Sequence, residues 1–181
     1  MSRRYKIHDP QGMYFLTPTI VGWVDLLSRA CYREIILRSL SFCRQNQGLR
    51  LHAYVIMTNH LHLIASPAPG YDLVKTLQNF KKFTAREFLQ AIDEEAESRQ
   101  AWLKQLFRQY GNQRGQAHQL WSHHNRPIEL YSAHVIRQKL EYLHMNPVKA
   151  GWVIDPTAWL HSSALDYAGG KGPLELDLLD V

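Results

Sequence analysis

The segment YVIMTNHLHLIA places His60 and His62 two apart in an otherwise apolar run. Side chains on a strand repeat every second residue, so the two imidazoles share a face. Two neutral imidazoles on one face are a common way to hold one divalent cation. The same spacing also suits a pair of partly buried histidines with backbone partners. A second feature lies in EYLHMNPVKAG, where Tyr142 and Asn146 are four apart and stack on one face of a helix. Asn146 offers a hard carbonyl oxygen as ligand and Tyr142 a phenol beside it. A packed tyrosine followed by an Asn-Pro helix stop fits the same residues. Brought together, the two motifs would make a metal site with a nucleophile at its edge. The remaining histidines lack such spacing, apart from His123 and His124. Adjacent positions of a regular strand point to opposite faces, so that pair cannot chelate together.

The flanking sequence predicts the elements that must carry these groups. MYFLTPTIVGW (13–23) reads as a first strand, and YREIILRSLSFCRQNQG (32–48) as a helix that stops at Gly48. LRLHAYVIM (49–57) and HLHLIAS (60–66) read as an antiparallel hairpin joined by Thr58 and Asn59. After a PAPG loop, residues 71–92 form an amphipathic helix with Leu73, Leu77, Phe80, Thr84 and Phe88 at helical spacing. Residues 93–117 read as an inserted helix and mobile loop, 118–124 as a strand and NRPIELY as a turn. Residues 132–147 predict a helix capped by Ser132 and stopped at Pro147. The order β-α-β-β-α-β plus a helix is α+β, the ferredoxin-like split βαβ layout. The expectation is one domain over 1–181, an antiparallel sheet with helices on one face, a C-terminal tyrosine-bearing helix and an acidic tail at 169–181.

Composition narrows the partners. A chain of 181 residues with 45% hydrophobic and 20% charged residues is that of an ordinary globular protein. Two cysteines, Cys31 and Cys43, make a disulfide framework improbable and fit a reducing cytoplasm. The start lacks a signal-peptide pattern and no apolar run is long enough to span a membrane, so no membrane partner is expected. Residues 1–150 hold 20 Lys and Arg against 11 Asp and Glu, a net +9; residues 151–181 hold 1 against 5, a net −4. A basic body with an acidic tail suits a polyanion.

The residues also resemble a known family. MTNHLHL resembles the His-hydrophobic-His (HUH) motif of single-tyrosine transposases, and LEYLHMNPVKAGWV resembles the tyrosine helix of their REP-associated branch. FKKFTAREF and SSALDY are similar to that branch too, and the likeness spans 13 to about 168. Thr58 departs from it, since the family usually has Pro in Met-Pro-Asn-His; this alters the turn, not a ligand, and is expected to loosen the hairpin. The resemblance implies cleavage and rejoining of single-stranded DNA at hairpin-forming repeats by a bacterial, cytoplasmic, nucleoid-associated enzyme. It implies that His60, His62 and Asn146 hold Mg²⁺ or Mn²⁺, and that Tyr142 attacks the phosphate to give a 5′-phosphotyrosine link. It leaves monomer or homodimer open. An ordinary tyrosine, with pKa about 10, is only about 0.1% phenolate at pH 7, a deficit of roughly 4 kcal/mol that a phosphate-bound cation would offset.

For the DNA surface, Lys75, Lys82 and Arg86 are spaced 7 and 4 and lie on one helix face opposite the apolar stripe, with Lys81 and Arg50 as flanking candidates. A solvated helix face has the same pattern. Trp121, Trp152 and Trp159 could stack on unpaired bases or pack in the core. Two other functions compete: a domesticated repeat-binding protein without cleavage, and an unrelated metal hydrolase. The hydrolase would need further carboxylate ligands, and Glu141, beside the second motif, faces away from Asn146.

Overall fold

The computed structural model describes residues 7–123 and 125–180. In chain order, β1 is Tyr14–Leu16, α1 Ala30–Asn46, β2 Leu49–Ile56, β3 Leu61–Pro67 and α2 Leu73–Glu94. They are followed by α3 (Gln100–Asn112), β4 (Ile128–Glu129), α4 (Ala133–Lys149) and α5 (Ala164–Tyr167). The strands pair antiparallel in the order β2-β3-β1-β4. Because β3 inserts between β1 and β2, the β1-α1-β2 crossover is the split βαβ unit expected of a ferredoxin-like α+β fold.

Strand alternation divides the apolar residues between two cores. Tyr14 and Leu16 pair with Ala65 and Leu63. With Leu61 they face Ile36 and Leu40 of α1, Leu77, Phe80 and Phe88 of α2, and Phe107 of α3. Phe15 and Ile64 point the other way and bury Leu143 of α4, with Ile136 and Leu140 packed alongside. The tyrosine-bearing helix therefore lies on the face opposite α1 and α2. A strand covered on both faces must be apolar almost throughout, and β3 is buried along its whole length.

In β2 the alternation shifts once. Leu49 and Leu51 share the first core with Tyr54 and Ile56, and the pairing register steps between Leu51 and Ala53. His52 is the extra residue of this bulge. Its Nδ1–H donates to the Asp177 carbonyl at 2.7 Å, and its Nε2 accepts from the Ser66 hydroxyl at 2.8 Å. Asp177 in turn donates its N–H to the Leu51 carbonyl (2.9 Å), and its carboxylate meets Arg44 at 3.3 Å. The acidic tail thus lies against β2, an edge strand of this sheet, whose outer backbone groups need such cover.

Several boundaries differ from the sequence expectations. The first strand keeps a ladder only over 14–16; beyond Pro18 come isolated bridges, Thr19 to His60 and Ile20 to Trp121, then a 3₁₀ turn at Val21–Trp23. Proline supplies no N–H to a ladder, which ends the regular pairing there. The expected strand at 118–124 is reduced to the Trp121 bridge, and the fourth strand is Ile128–Glu129, inside the segment read as a turn. Trp121 is anchored through its ring instead, with Nε1–H donated to Thr84 Oγ1 at 2.9 Å. His124 lies outside the described residues. Thr58 does not leave the hairpin unsupported: its carbonyl accepts from Leu27 N–H (2.8 Å) and that of Asn59 from Ile20 N–H (2.9 Å).

Pro147 does not end α4, which runs on to Lys149. The proline removes one helical hydrogen bond, and the burial of Leu143 and Pro147 offsets that loss. Termination falls to Gly151, at φ +76, with Trp152 N–H returning to the Pro147 carbonyl at 3.0 Å. At the other predicted stop, Gly48 follows α1 at φ +61, and a Cβ there would run into the Tyr71 ring. Gly48→Ala is therefore expected to destabilise the chain by about 2 kcal/mol, from the left-handed backbone and the displaced ring together. Urea denaturation checks this, and an unchanged midpoint would contradict it.

Candidate active site

The strand register brings the first polar groups together. Continuing the β1–β3 pairing beyond Leu16↔Leu63 sets Thr17 opposite His62, and the Thr19↔His60 bridge keeps the same register. Thr17 Oγ1 lies 3.1 Å from His62 Nδ1. Asn59 Oδ1 accepts from His60 Nδ1–H at 2.6 Å. With each Nδ1 engaged, Nε2 is the nitrogen each ring has left, and the two Nε2 atoms face one another at 3.2 Å. Two nitrogens about 2.1 Å from one cation at a right angle would be about 3.0 Å apart, so the pair has the bite of adjacent metal ligands.

Burial decides the protonation state. Desolvation holds His60 down to about 4 and His62 down to about 3; for His62 the charges of His60 and Lys139 act in the same direction, against a hydrogen bond with Asn146. Both rings are neutral at pH 7, the form that ligates metal.

Helix α4 supplies the other half. The Ser132 hydroxyl caps it, accepting from Val135 N–H at 3.3 Å. Tyr142 stands edge-on to His62 with ring centroids 5.3 Å apart and edge-on to Phe15 at 5.9 Å, while Phe15 stacks on His62 at 5.0 Å. Tyr142 remains 41% exposed, so its ring is anchored while solvent reaches it. Asn146 donates Nδ2–H to the Tyr142 carbonyl at 2.9 Å, and its side chain also meets His62. The four residues singled out by spacing thus converge from β3, the turn before it and α4. Among the described residues no third His, Cys, Asp or Glu completes a metal cluster, so the available set is two imidazoles and an amide oxygen.

Contacts that the sequence reading did not name complete the pocket. Lys139 Nζ lies 5.6 Å and Lys149 Nζ 5.5 Å from the centre of the Tyr142 ring. Lys139, Tyr142, Asn146 and Lys149 are spaced 3, 4 and 3, one helical stripe, and that pattern was the available signal. Phe15 and Thr17 share a face by strand alternation, but only the register tells which histidine they meet.

The proposed DNA-facing residues separate. Lys75, Lys82 and Arg86 are exposed along α2, and Arg50 is exposed on β2. Arg86 pairs with Glu87 at 3.2 Å and lies over the Phe83 ring. Lys81 leaves this stripe: its ammonium donates to the Ser122 carbonyl at 2.8 Å, and burial brings its pKa down to about 8. Among the tryptophans, Trp121 is core, and Trp159 is tied to the Ile56 carbonyl with Trp152 tilted against it.

The buried neutral histidines make stability depend on pH with a definite sign. In the unfolded chain they titrate near 6.5; folded, they resist protonation until about 4 and 3. Between about 6.5 and 4 the unfolded state binds more protons, so stability falls as the pH drops through that window. In metal-free protein, His62→Gln should lose less stability between pH 7 and pH 5 than the parent, by up to about 2 kcal/mol. Urea titrations at the two pH values read this directly; equal losses for both proteins would refute it.

Comparison with known proteins identifies the family and the fold. A family model described as "Transposase IS200 like" matches residues 26–123, which contain the histidine pair and stop short of Tyr142. The whole chain superposes on 95% of a REP-associated tyrosine transposase solved bound to a REP hairpin, with a TM-score of 0.63 and 19% identity. A transposase candidate from Deinococcus radiodurans R1 aligns over 78% of this chain and 93% of its own, with a TM-score of 0.43 and 21% identity. No curated protein matches the sequence. With the family match covering more than half of its length, the chain belongs to the IS200-like transposases.

Proposed function

We propose that this transposase cuts and rejoins single-stranded DNA at hairpin-forming repeats, with Tyr142 as the nucleophile. The observation that carries the reading is the convergence of Tyr142, His60, His62 and Asn146 on one face of the sheet, with the Tyr142 and His62 rings 5.3 Å apart. The hairpin held by the similar REP-associated transposase supports the substrate class.

His60 Nε2, His62 Nε2 and Asn146 Oδ1 are the atoms that would hold a divalent cation, Mg²⁺ or Mn²⁺, whose contribution when bound is to polarise the phosphate. The mixed nitrogen and oxygen set without thiolate fits such hard-to-borderline ions. Tyr142 presents its phenol oxygen to the scissile phosphorus. As the P–O(Tyr) bond forms, the phenol gives up its proton to solvent water, which reaches the exposed ring; as the P–O3′ bond breaks, the 3′ oxygen takes up a proton from water. The 5′ end stays on Tyr142, and the phosphodiester bond energy stays with it, so rejoining by a 3′-hydroxyl needs no nucleotide cofactor. Lys139 and Lys149 flank the tyrosine with two positive charges that attract and orient the phosphate.

Tyr142→Phe removes one oxygen and is expected to abolish the denaturant-resistant protein–DNA adduct while hairpin binding persists. In the same assay, His60→Ala and His62→Ala should each stop cleavage and weaken Mn²⁺ binding by calorimetry. An adduct surviving in the Phe variant would move the nucleophile elsewhere, with the exposed Tyr131 first in line. Binding by the parent with no adduct under any metal would favour a repeat-binding protein without cleavage.

The exposed stripe of Lys75, Lys82 and Arg86, with Arg50, is the proposed phosphate-contact surface. The three α2 residues lie on the α2 side of the sheet, away from Tyr142, so one DNA molecule touching both would wrap the sheet. Arg50 alternates with Leu49 and Leu51 of the α2-side core and so lies on the opposite face of β2. Changing the three α2 residues to Ala should weaken hairpin and unrelated single-strand binding alike and reduce the log–log salt slope by about 2 to 3. An unchanged slope would mark the stripe as a solvated helix face.

A further inference from the structure

Among the described residues two non-glycine residues have a left-handed backbone, Trp23 at φ +56 and Arg126 at φ +46. Both line one cleft of about 250 Å³, together with Thr19, Arg114 and Gln119. Left-handed backbone is sterically unfavourable for side chains of this size, and such strain gathers at functional sites.

Trp23 is the clearer case. It follows Gly22, itself at φ +65, so the turn calls for glycine and carries an indole. That indole is 61% exposed, whereas a tryptophan retained for packing would be buried. The backbone is nonetheless fixed to the histidine motif: Asn59 Nδ2 donates to the Trp23 carbonyl at 3.3 Å, and Trp23 N–H donates to the Ile20 carbonyl at 3.2 Å. The ring stands edge-on to His60 with centroids 6.0 Å apart. Arg114 and Arg126 are exposed at the same cleft, and neither pairs with a carboxylate among the described residues. An accessible aromatic face beside uncompensated guanidiniums is the arrangement that binds single-stranded nucleic acid, one surface for a base and the charges for its phosphates.

We propose that Trp23 is a positioning residue on which an unpaired base next to the scissile phosphate stacks, with Arg126 and Arg114 holding the flanking backbone. Only an unpaired base is free to leave its stack and lie on the exposed indole, so the cleft suits the unpaired flank of a hairpin rather than its stem. This rests on the single-strand reading proposed above and names a determinant of that substrate.

The test measures anisotropy of two labelled DNA hairpins, one with an unpaired flank and one blunt, in the Tyr142→Phe background where nothing is cut. Trp23→Ala is expected to weaken binding of the flanked hairpin about tenfold and leave the blunt one unchanged. Trp23→Phe should keep most of the affinity. Trp23→Gly relieves the backbone strain, so it folds at least as well, yet should bind the flank as weakly as the Ala variant. An abasic flank should erase the difference between the variants. Equal affinity of parent and Gly variant for the flanked hairpin, or an equal loss on both hairpins, would overturn the proposal. Adduct formation with otherwise native protein is read in parallel. Trp23-dependent flank binding without an adduct would overturn the cleavage chemistry and leave this inference standing, an adduct with Trp23-independent binding would overturn this inference alone, and no flank binding at all would overturn both.

Discussion

A histidine pair at the entry to a strand that is covered on both faces, His60 in the turn before β3 and His62 within it, is the constraint on which the rest of this structure depends. Desolvation keeps both rings neutral, but it also demands a partner for every ring nitrogen, because a buried polar atom without one is costly. Asn59 and Thr17 meet that demand at the two Nδ1 atoms. What remains is a pair of Nε2 atoms facing each other on the α4 side. The split βαβ topology is what makes this possible, since it sets β1 beside β3 and so brings Thr17 opposite His62.

The second half of the site must then arrive in phase. Helix α4 buries Leu143 against Phe15, Val55 and Ile64 of the sheet, with Ile136 and Leu140 alongside, which fixes its rotation and turns the Lys139, Tyr142, Asn146 and Lys149 stripe toward the histidines. A shift of one residue would rotate that stripe by about 100° and take the phenol away from the site. The helix tolerates a proline one residue after Asn146 because the lost hydrogen bond is offset by burial, and Gly151 closes it a turn later.

Charge is arranged around this site on more than one level. The exposed cations of α2 occupy the face opposite α4, whereas Lys139 and Lys149 sit at the tyrosine itself. The acidic tail does not stay in solvent as a free counter-charge; Arg44 and the bulge at His52 hold it along β2. Positive charge summed over a sequence therefore overstates what a polyanion meets. Lys81 shows this most plainly, counted among the basic residues but committed to the Ser122 carbonyl.

Local patterns were enough to expose much of this. Two-residue alternation identified β3 and the shared face of His60 and His62, helical spacing identified α2 and the Tyr142–Asn146 pair, and Gly48 marked the end of α1. Each of those signals is written in residues a few positions apart, where backbone geometry alone relates them. The sequence could not show that Trp121 is tied to Thr84 by its ring, that the fourth strand is two residues at Ile128, or that Thr17 meets His62 across 45 positions. Nor could it show that Trp23 would stand exposed beside His60, since it read as the end of a strand. Those outcomes depend on register and on which face of the sheet each helix covers, and both are settled only when distant segments compete to bury the same apolar surface.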